Sequence, residues 1–284
     1  MKIRAALRLG RVSNLPTVWS NVLAGVALAG WTGTSGVELV WLCGAMSLLY
    51  VGGMYLNDFC DAEIDARERA ERPIPKGEAT GREVLAWGCG MLAAGVGLAF
   101  LSGMPSGVAA VATVFVIVLY DLVHKRTLLA PALMAGCRVG VYWTAALSLA
   151  APKTELVALG AAVLFAYVMG LTYAAAKENS TALVRYGPLL GLWAPALLAG
   201  PWLGASPLGL VVLFGFGVWV LRAIRLVRTR EPRFIRQGIA ALIAGMSLVD
   251  ALWLALYTPH AAFALCAVVA FGATLALQRV VAGT

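Results

Sequence analysis

Ten apolar runs order this chain, near residues 15–31, 39–57, 84–101, 107–120, 128–150, 155–174, 184–202, 207–223, 238–256 and 262–278. A helix rises about 1.5 Å per residue, so about 20 apolar residues cross the hydrocarbon core of a bilayer, and most of these runs approach that length. Backbone polar groups in lipid must be satisfied within their own segment, so such runs are expected to be helices. The expected fold class is an all-α polytopic membrane protein, a bundle of nine to ten transmembrane helices, with residues 1–284 as a single domain. Composition points the same way: 61% of positions are hydrophobic and 13% charged, against roughly 45–50% and 25% in soluble domains. So few charges exclude a disordered chain, a nucleic-acid-binding domain and most soluble enzymes.

The distribution of charge predicts topology. Twenty of the 22 Lys and Arg residues lie at the N-terminus, at Arg279 or in the longer loops at 57–83, 121–127, 177–186 and 222–237. Arg138 falls inside a run, and Lys153 alone occupies the short turns between the other run ends. By the positive-inside rule, both termini and the long loops face the cytoplasm of an integral membrane protein, in the inner membrane if the cell is bacterial. The first run follows a basic segment (Lys2, Arg4, Arg8, Arg11) and lacks a small-residue cleavage pattern, so it reads as a retained span. Arg222, Arg225, Arg228, Arg230, Arg233 and Arg236 are expected to face anionic lipid headgroups. The five cysteines and two histidines show no metal-ligand spacing.

Acids concentrate where the second run ends: eight of the fourteen lie between Asp58 and Glu83. At about 100° per residue, a continuing helix places Asn57, Asp58, Asp61 and Asp65 on one stripe, with Glu63 pointing away. Carboxylates crowded on one face repel unless a positive group sits among them, and such hard oxygen donors suit Mg²⁺. The alternative is a solvated helix end paired with Arg67, Arg69 and Arg72. The next segment, Glu71-Arg72-Pro73-Ile74-Pro75-Lys76-Gly77, fixes an extended loop that presents Arg72 and Lys76 beside the acids, as a phosphate would require. A third cluster, Tyr120 to Arg126, adds Lys125, Arg126 and a phenol; positive-inside anchoring also accounts for it.

Asn57-Asp58-x-x-Asp61-x-x-x-Asp65 with Arg72-Pro-x-Pro-x-Gly77 resembles the first aspartate-rich signature of the UbiA superfamily of intramembrane prenyltransferases, and Tyr120…Lys125-Arg126 resembles its Tyr-x-x-x-Lys-Arg element. The resemblance implies a helical bundle around a central cavity capped on the cytoplasmic side. It also implies Mg²⁺-dependent transfer of a prenyl group from an isoprenyl diphosphate, of the farnesyl or geranylgeranyl class, to a small acceptor. By position, Asn57, Asp61 and Asp65 would ligate the metal, and Asp58 would be a ligand or a group bonded to one. Arg72, Lys76, Lys125 and Arg126 would bind diphosphate, and Tyr120 would hydrogen-bond it or shield the cation. The second aspartate-rich motif is degenerate here, reading Ala176-Lys177-Glu178-Asn179. Glu178 is expected to hold a metal, or Lys177 to replace a second metal's charge on the diphosphate. Arg138, an ionisable group at membrane depth, is expected to face the cavity near the diphosphate or acceptor. Asp250 is expected to be structural, and Asn14 and Asn21 either to reach the cavity mouth or to bond between helices. Family acceptors range from hydroxybenzoate and naphthoate to glycerol phosphate lipids, which leaves aromatic and polyol-like acceptors open. A non-catalytic isoprenoid-binding membrane protein or a transporter is the competing reading.

Overall fold

The computed structural model describes residues 1–33, 36–176, 187–200, 206–229, 231–281 and 283, and every regular element among them is helical. A short α1 (Ile3–Leu9) and a single turn at Val12–Asn14 lead into α2 (Leu15–Leu28). Next come α3 (Gly36–Cys60), α4 (Ala62–Glu68), α5 (Gly81–Leu101), α6 (Met104–Val123), α7 (Ala130–Ala146) and α8 (Thr154–Ala175). A tight turn segment, Gly187–Trp193, runs into α9 (Ala194–Ala199), followed by α10 (Pro207–Val227), α11 (Pro232–Tyr257) and α12 (Ala261–Gln278). Among the described residues, seven helices (α3, α5, α6, α8, α10, α11 and α12) are long and apolar enough to span a membrane. The runs expected at 15–31 and 128–150 form shorter helices of 14 and 17 residues. The run expected at 184–202 becomes a broken helical segment over residues 187–199, where Pro188 and Pro195 each remove a backbone donor.

The 14-residue α2 sits innermost. It packs against α3, α7, α11 and α12 and buries nearly every side chain. Close approach to α7 depends on Gly25, where an added Cβ would lie 2.6 Å from the Tyr142 carbonyl oxygen. Small residues at such crossings let helix backbones meet in lipid, where burial of apolar surface offers no extra gain. The other buried helix, α11, packs on α2, α8, α10 and α12. By contrast α5, α6, α10 and α12 expose large apolar side chains outward, among them Trp87, Phe115, Phe214 and Val269, as lipid-facing helices do. Arg222, Arg225, Arg228, Arg233 and Arg236 are exposed at the ends of α10 and α11 that share one side of the bundle; Arg230 lies outside the described residues.

Candidate active site

A cavity of about 400 Å³ opens between α2, α3, α6, α7, α8 and α11. Along α3 and one residue past its end, the wall runs from Met46 to Asp61, fifteen residue steps and so about 22 Å of helical rise. The inner part is apolar, lined by Met46, Leu49, Val141, Val168, Ile239 and Met246. Polar side chains gather where α3 and α6 end and α7 begins: Arg11, Asn57, Asp61, Arg72, Asp121 and Lys125.

The acidic stripe forms as the helical repeat requires. Although α3 ends at Cys60, the amide of Asp61 donates to the Asn57 carbonyl (2.9 Å) and that of Asp65 to the Asp61 carbonyl (2.8 Å), so the helical register carries into α4. Asn57, Asp58, Asp61 and Asp65 are all at most 8% exposed, while Glu63 faces outward. What sits among the carboxylates is a set of cations. Asp58 Oδ1 accepts from Arg11 Nη2 (3.0 Å) and Arg72 Nη1 (2.8 Å). Asp61 Oδ2 lies 3.4 Å from both His124 Nε2 and Lys125 Nζ. Asn57 Nδ2 donates to Asp121 Oδ1 at 3.1 Å.

These partners set the electrostatics. Burial pushes the Asp61 carboxyl up, but His124 and Lys125 outweigh it and hold the group below the usual carboxylate range. For Asp65, burial dominates and neighbouring Asp58 and Asp61 add to it, so its carboxyl titrates above the usual range despite Arg72. Burial, reinforced by neighbouring Arg11, lowers the Arg72 guanidinium from its ordinary value.

Several expected placements are corrected. Among the described residues no three His, Cys, Asp or Glu side chains converge tightly enough to hold a metal, because Asp58 and Asp61 each turn to their own cations. Asp58 and Asp65 are buried beside the cavity without lining it. Lys76 does not reach the cavity: it pairs with Glu78 at 2.6 Å and is more than half exposed. Arg126 also points to the outside, since the last turn of α6 brings Tyr120, Asp121 and His124 to the cavity face. Arg72, Lys125, Tyr120 and Arg138 do line it. Lys177 and Glu178 lie outside the described residues.

Arg11 is the main addition. It occupies the left-handed region (φ 41°), a conformation that costs a non-glycine residue energy, and this turn swings its guanidinium onto Asp58, Met54 Sδ (2.8 Å) and the cavity wall. Its place in a basic N-terminal segment hides this; Pro16, which starts α2 at Leu15, is the available clue that Arg11 stands at the same end as the α3 acids. Asp121 is the second addition. Its Oδ2 is buried without a hydrogen-bond partner, and with Asn57 and Asp61 it gives the polar end of the cavity hard oxygen donors that fit Mg²⁺. Asp250, fully buried, accepts from Ser20 Oγ (2.5 Å), Asn21 Nδ2 (2.8 Å) and Tyr142 OH (2.5 Å), an interhelical role for Asn21. Asn14 lines the cavity.

Comparison with known proteins bears on this arrangement. The UbiA prenyltransferase family model matches residues 16–237. The digeranylgeranylglyceryl phosphate synthase of Methanopyrus kandleri is 34% identical over 139 residues, 49% of this chain and 50% of that protein. That of Ignicoccus hospitalis is 32% identical over 126 residues, 44% of this chain and 41% of that protein. The chain thus spans about half the length of the curated relatives it matches. Among solved structures, one concerned with digeranylgeranylglyceryl phosphate synthase in membranes superposes over 90% of this chain and 98% of its own, with TM-score 0.64 and 15% identity. A UbiA homologue from Archaeoglobus fulgidus bound to GPP and Mg²⁺ covers 97% of this chain and 99% of its own, with TM-score 0.55 and 13% identity. At those identities the structural likeness shows the fold.

Proposed function

The chain belongs to the UbiA prenyltransferase family, and from that premise we propose that it is a Mg²⁺-dependent transferase acting as one domain over residues 1–284. It moves a prenyl group from an isoprenyl diphosphate to a small acceptor within the membrane. One observation carries the reading: a cavity whose oxygen donors and cations, Arg138 excepted, gather at one end and whose other end is lined mainly by apolar side chains. A diphosphate headed by an isoprenoid tail has the same division of polarity. The relatives' name favours a geranylgeranyl-class donor and a glycerophosphate-type acceptor.

In this reading Arg11, Arg72 and Lys125 bind the diphosphate oxygens, Arg by its planar fork and Lys as a point charge. Asn57, Asp61 and Asp121 would hold the metal, with Asp65 and Asp58 supporting them from the same stripe. Mg²⁺ bound there supplies charge neutralisation to the departing diphosphate. The C1–O bond breaks, its electron pair leaves with diphosphate, and the acceptor oxygen or carbon forms the new bond to C1 and loses a proton. The Tyr120 ring, stacked on His124 with centroids 4.7 Å apart, faces the cavity at this level and shields the electron-poor C1 from water. The polar end faces the cytoplasm, where water-soluble diphosphate is released.

The test is product formation by purified protein from geranylgeranyl diphosphate and geranylgeranylglyceryl phosphate, read by mass spectrometry together with diphosphate release. Wild type is expected to make both products only with Mg²⁺, chelation to abolish them, and Asp61→Asn to lose about 100-fold or more in rate, as loss of a group stabilising developing charge does. Diphosphate release that persists undiminished in Asp61→Asn, or tight isoprenoid binding without turnover in wild type, sinks the proposal and favours a binding protein.

A further inference from the structure

We infer that Arg138 is the seat for an anionic group of the acceptor, and that Asp250 positions it through Asn21. The inference rests on the transferase reading above and adds a property of the second substrate: it carries a carboxylate or phosphate close to its nucleophilic atom.

Arg138 lines the cavity from α7, eight residues past Ala130 and so about 12 Å deep along the helix. Its guanidinium lies over the Tyr50 ring, 5.2 Å from the centroid. Tyr50 precedes Asn57 by seven residues on α3, about 10 Å along the axis. A diphosphate seated at Asn57 and Asp61 has Arg11, Arg72 and Lys125 around it, and Arg138 stands deeper in the cavity than these three. The deeper cation is left for a different anion.

The wiring behind Arg138 leaves it wanting one. Arg138 Nη1 donates to Asn21 Oδ1 at 3.2 Å, and among the described residues no carboxylate is in ion-pair contact with the guanidinium. Asn21 in turn donates to Asp250, whose two oxygens are filled by Ser20, Asn21 and Tyr142. The countercharge is therefore held one amide away by neutral donors, while Arg138 itself forms part of the cavity wall. An arginine has five N–H donors matched to a bidentate oxyanion, and a guanidinium at membrane depth requires a partner. An acceptor anion seated there, beside the prenyl C1 held above, places the nucleophile between the two charged groups.

Two measurements test this on the full-length protein. In the first, transfer is followed with geranylgeranylglyceryl phosphate and with its neutral counterpart geranylgeranylglycerol. Arg138→Gln is expected to raise KM for the phosphate acceptor at least tenfold, to leave KM for the prenyl diphosphate within twofold, and to leave the neutral acceptor unaffected. Arg138→Lys should recover part of the phosphate preference, Asp250→Ala should raise KM for the phosphate acceptor by less than Arg138→Gln does, and Asp250→Asn by less still. An equal rise for the prenyl diphosphate, or equal losses with both acceptors, overturns the inference. The second measures binding of the same two acceptors without donor or Mg²⁺, so it stands if transfer fails. Wild type is expected to bind the phosphate form at least tenfold more tightly and Arg138→Gln to bind the two alike. No preference in wild type, or a preference kept in Arg138→Gln, removes the seat whatever the outcome for turnover.

Discussion

Asp58 carries one negative charge and two guanidinium partners, so its neighbourhood is richer in positive charge than the acidic stripe suggests. A dianionic ligand entering that end of the cavity meets Arg11 and Arg72 already aimed inward. Arg11→Met should therefore raise KM for the prenyl diphosphate by about 10- to 100-fold, the cost of about 1.5–3 kcal/mol for a hydrogen bond to a charged group. Equal KM values in wild type and variant would remove Arg11 from the diphosphate site. Protonation follows a similar logic. Acid protonates Asp65, lifted by burial, before Asp61, which His124 and Lys125 hold down. A protonated carboxyl supports a metal poorly, so Mg²⁺-dependent turnover should fall on acidification, and the fall should move to lower pH as Mg²⁺ is raised to saturation. A limb that does not move with Mg²⁺ would assign the titration elsewhere. The stripe itself was legible from the helical repeat alone, since side-chain direction follows sequence spacing. Arg11 was not, because its position depends on a left-handed turn and on α1 folding back along α3, where Tyr55 OH donates to the Ala6 carbonyl. Lys76 was misplaced for a related reason: proximity in sequence brought it near the acids, but Glu78 lies nearer still.

At the scale of elements, hydropathy located the long helices closely. The run at 155–174 is α8 at Thr154–Ala175, and that at 262–278 is α12 at Ala261–Gln278. Where a helix carries charge at its end the run falls short of it: α11 begins at Pro232, six residues before the apolar stretch, because Arg233 and Arg236 solvate its first turns. Hydropathy says nothing of which helices lie inside, and α2, at 14 residues, is interior through packing that only glycines and small residues permit. Gly25→Ala should lower stability by about 1–3 kcal/mol, the usual cost of overpacking, because its Cβ meets the Tyr142 carbonyl rather than a movable side chain. Gly90→Ala on α5, where nothing lies within 4 Å, should be neutral or slightly stabilising through helix propensity. Thermal unfolding in detergent compares the two; similar melting temperatures would mean that α2 and α7 separate without cost.

For the whole molecule, the 22 basic residues that outnumber 14 acidic ones include two sets distinguished by position. Arg222, Arg225, Arg228, Arg233 and Arg236 are exposed at helix ends away from the cavity wall, whereas Arg11, Arg72 and Lys125 line it. On the proposed reading the surface arginines act on orientation and lipid contact, and the cavity cations act on the ligand. Both sets are expected on the cytoplasmic side, so the orientation can be tested at residues remote from the chemistry. In a background with the five cysteines replaced, His260→Cys marks the turn between α11 and α12, and Arg228→Cys marks the basic end of α10. A membrane-impermeant maleimide applied to intact cells should label the cysteine at 260 and leave that at 228 unlabelled, and permeabilisation should expose both. The reverse pattern would place the polar end of the cavity outside, away from any cytoplasmic supply of diphosphate substrate. Replacing the five exposed arginines with glutamine should then reduce the fraction of correctly oriented protein while leaving turnover of the purified enzyme within about twofold, since none of them reaches the cavity.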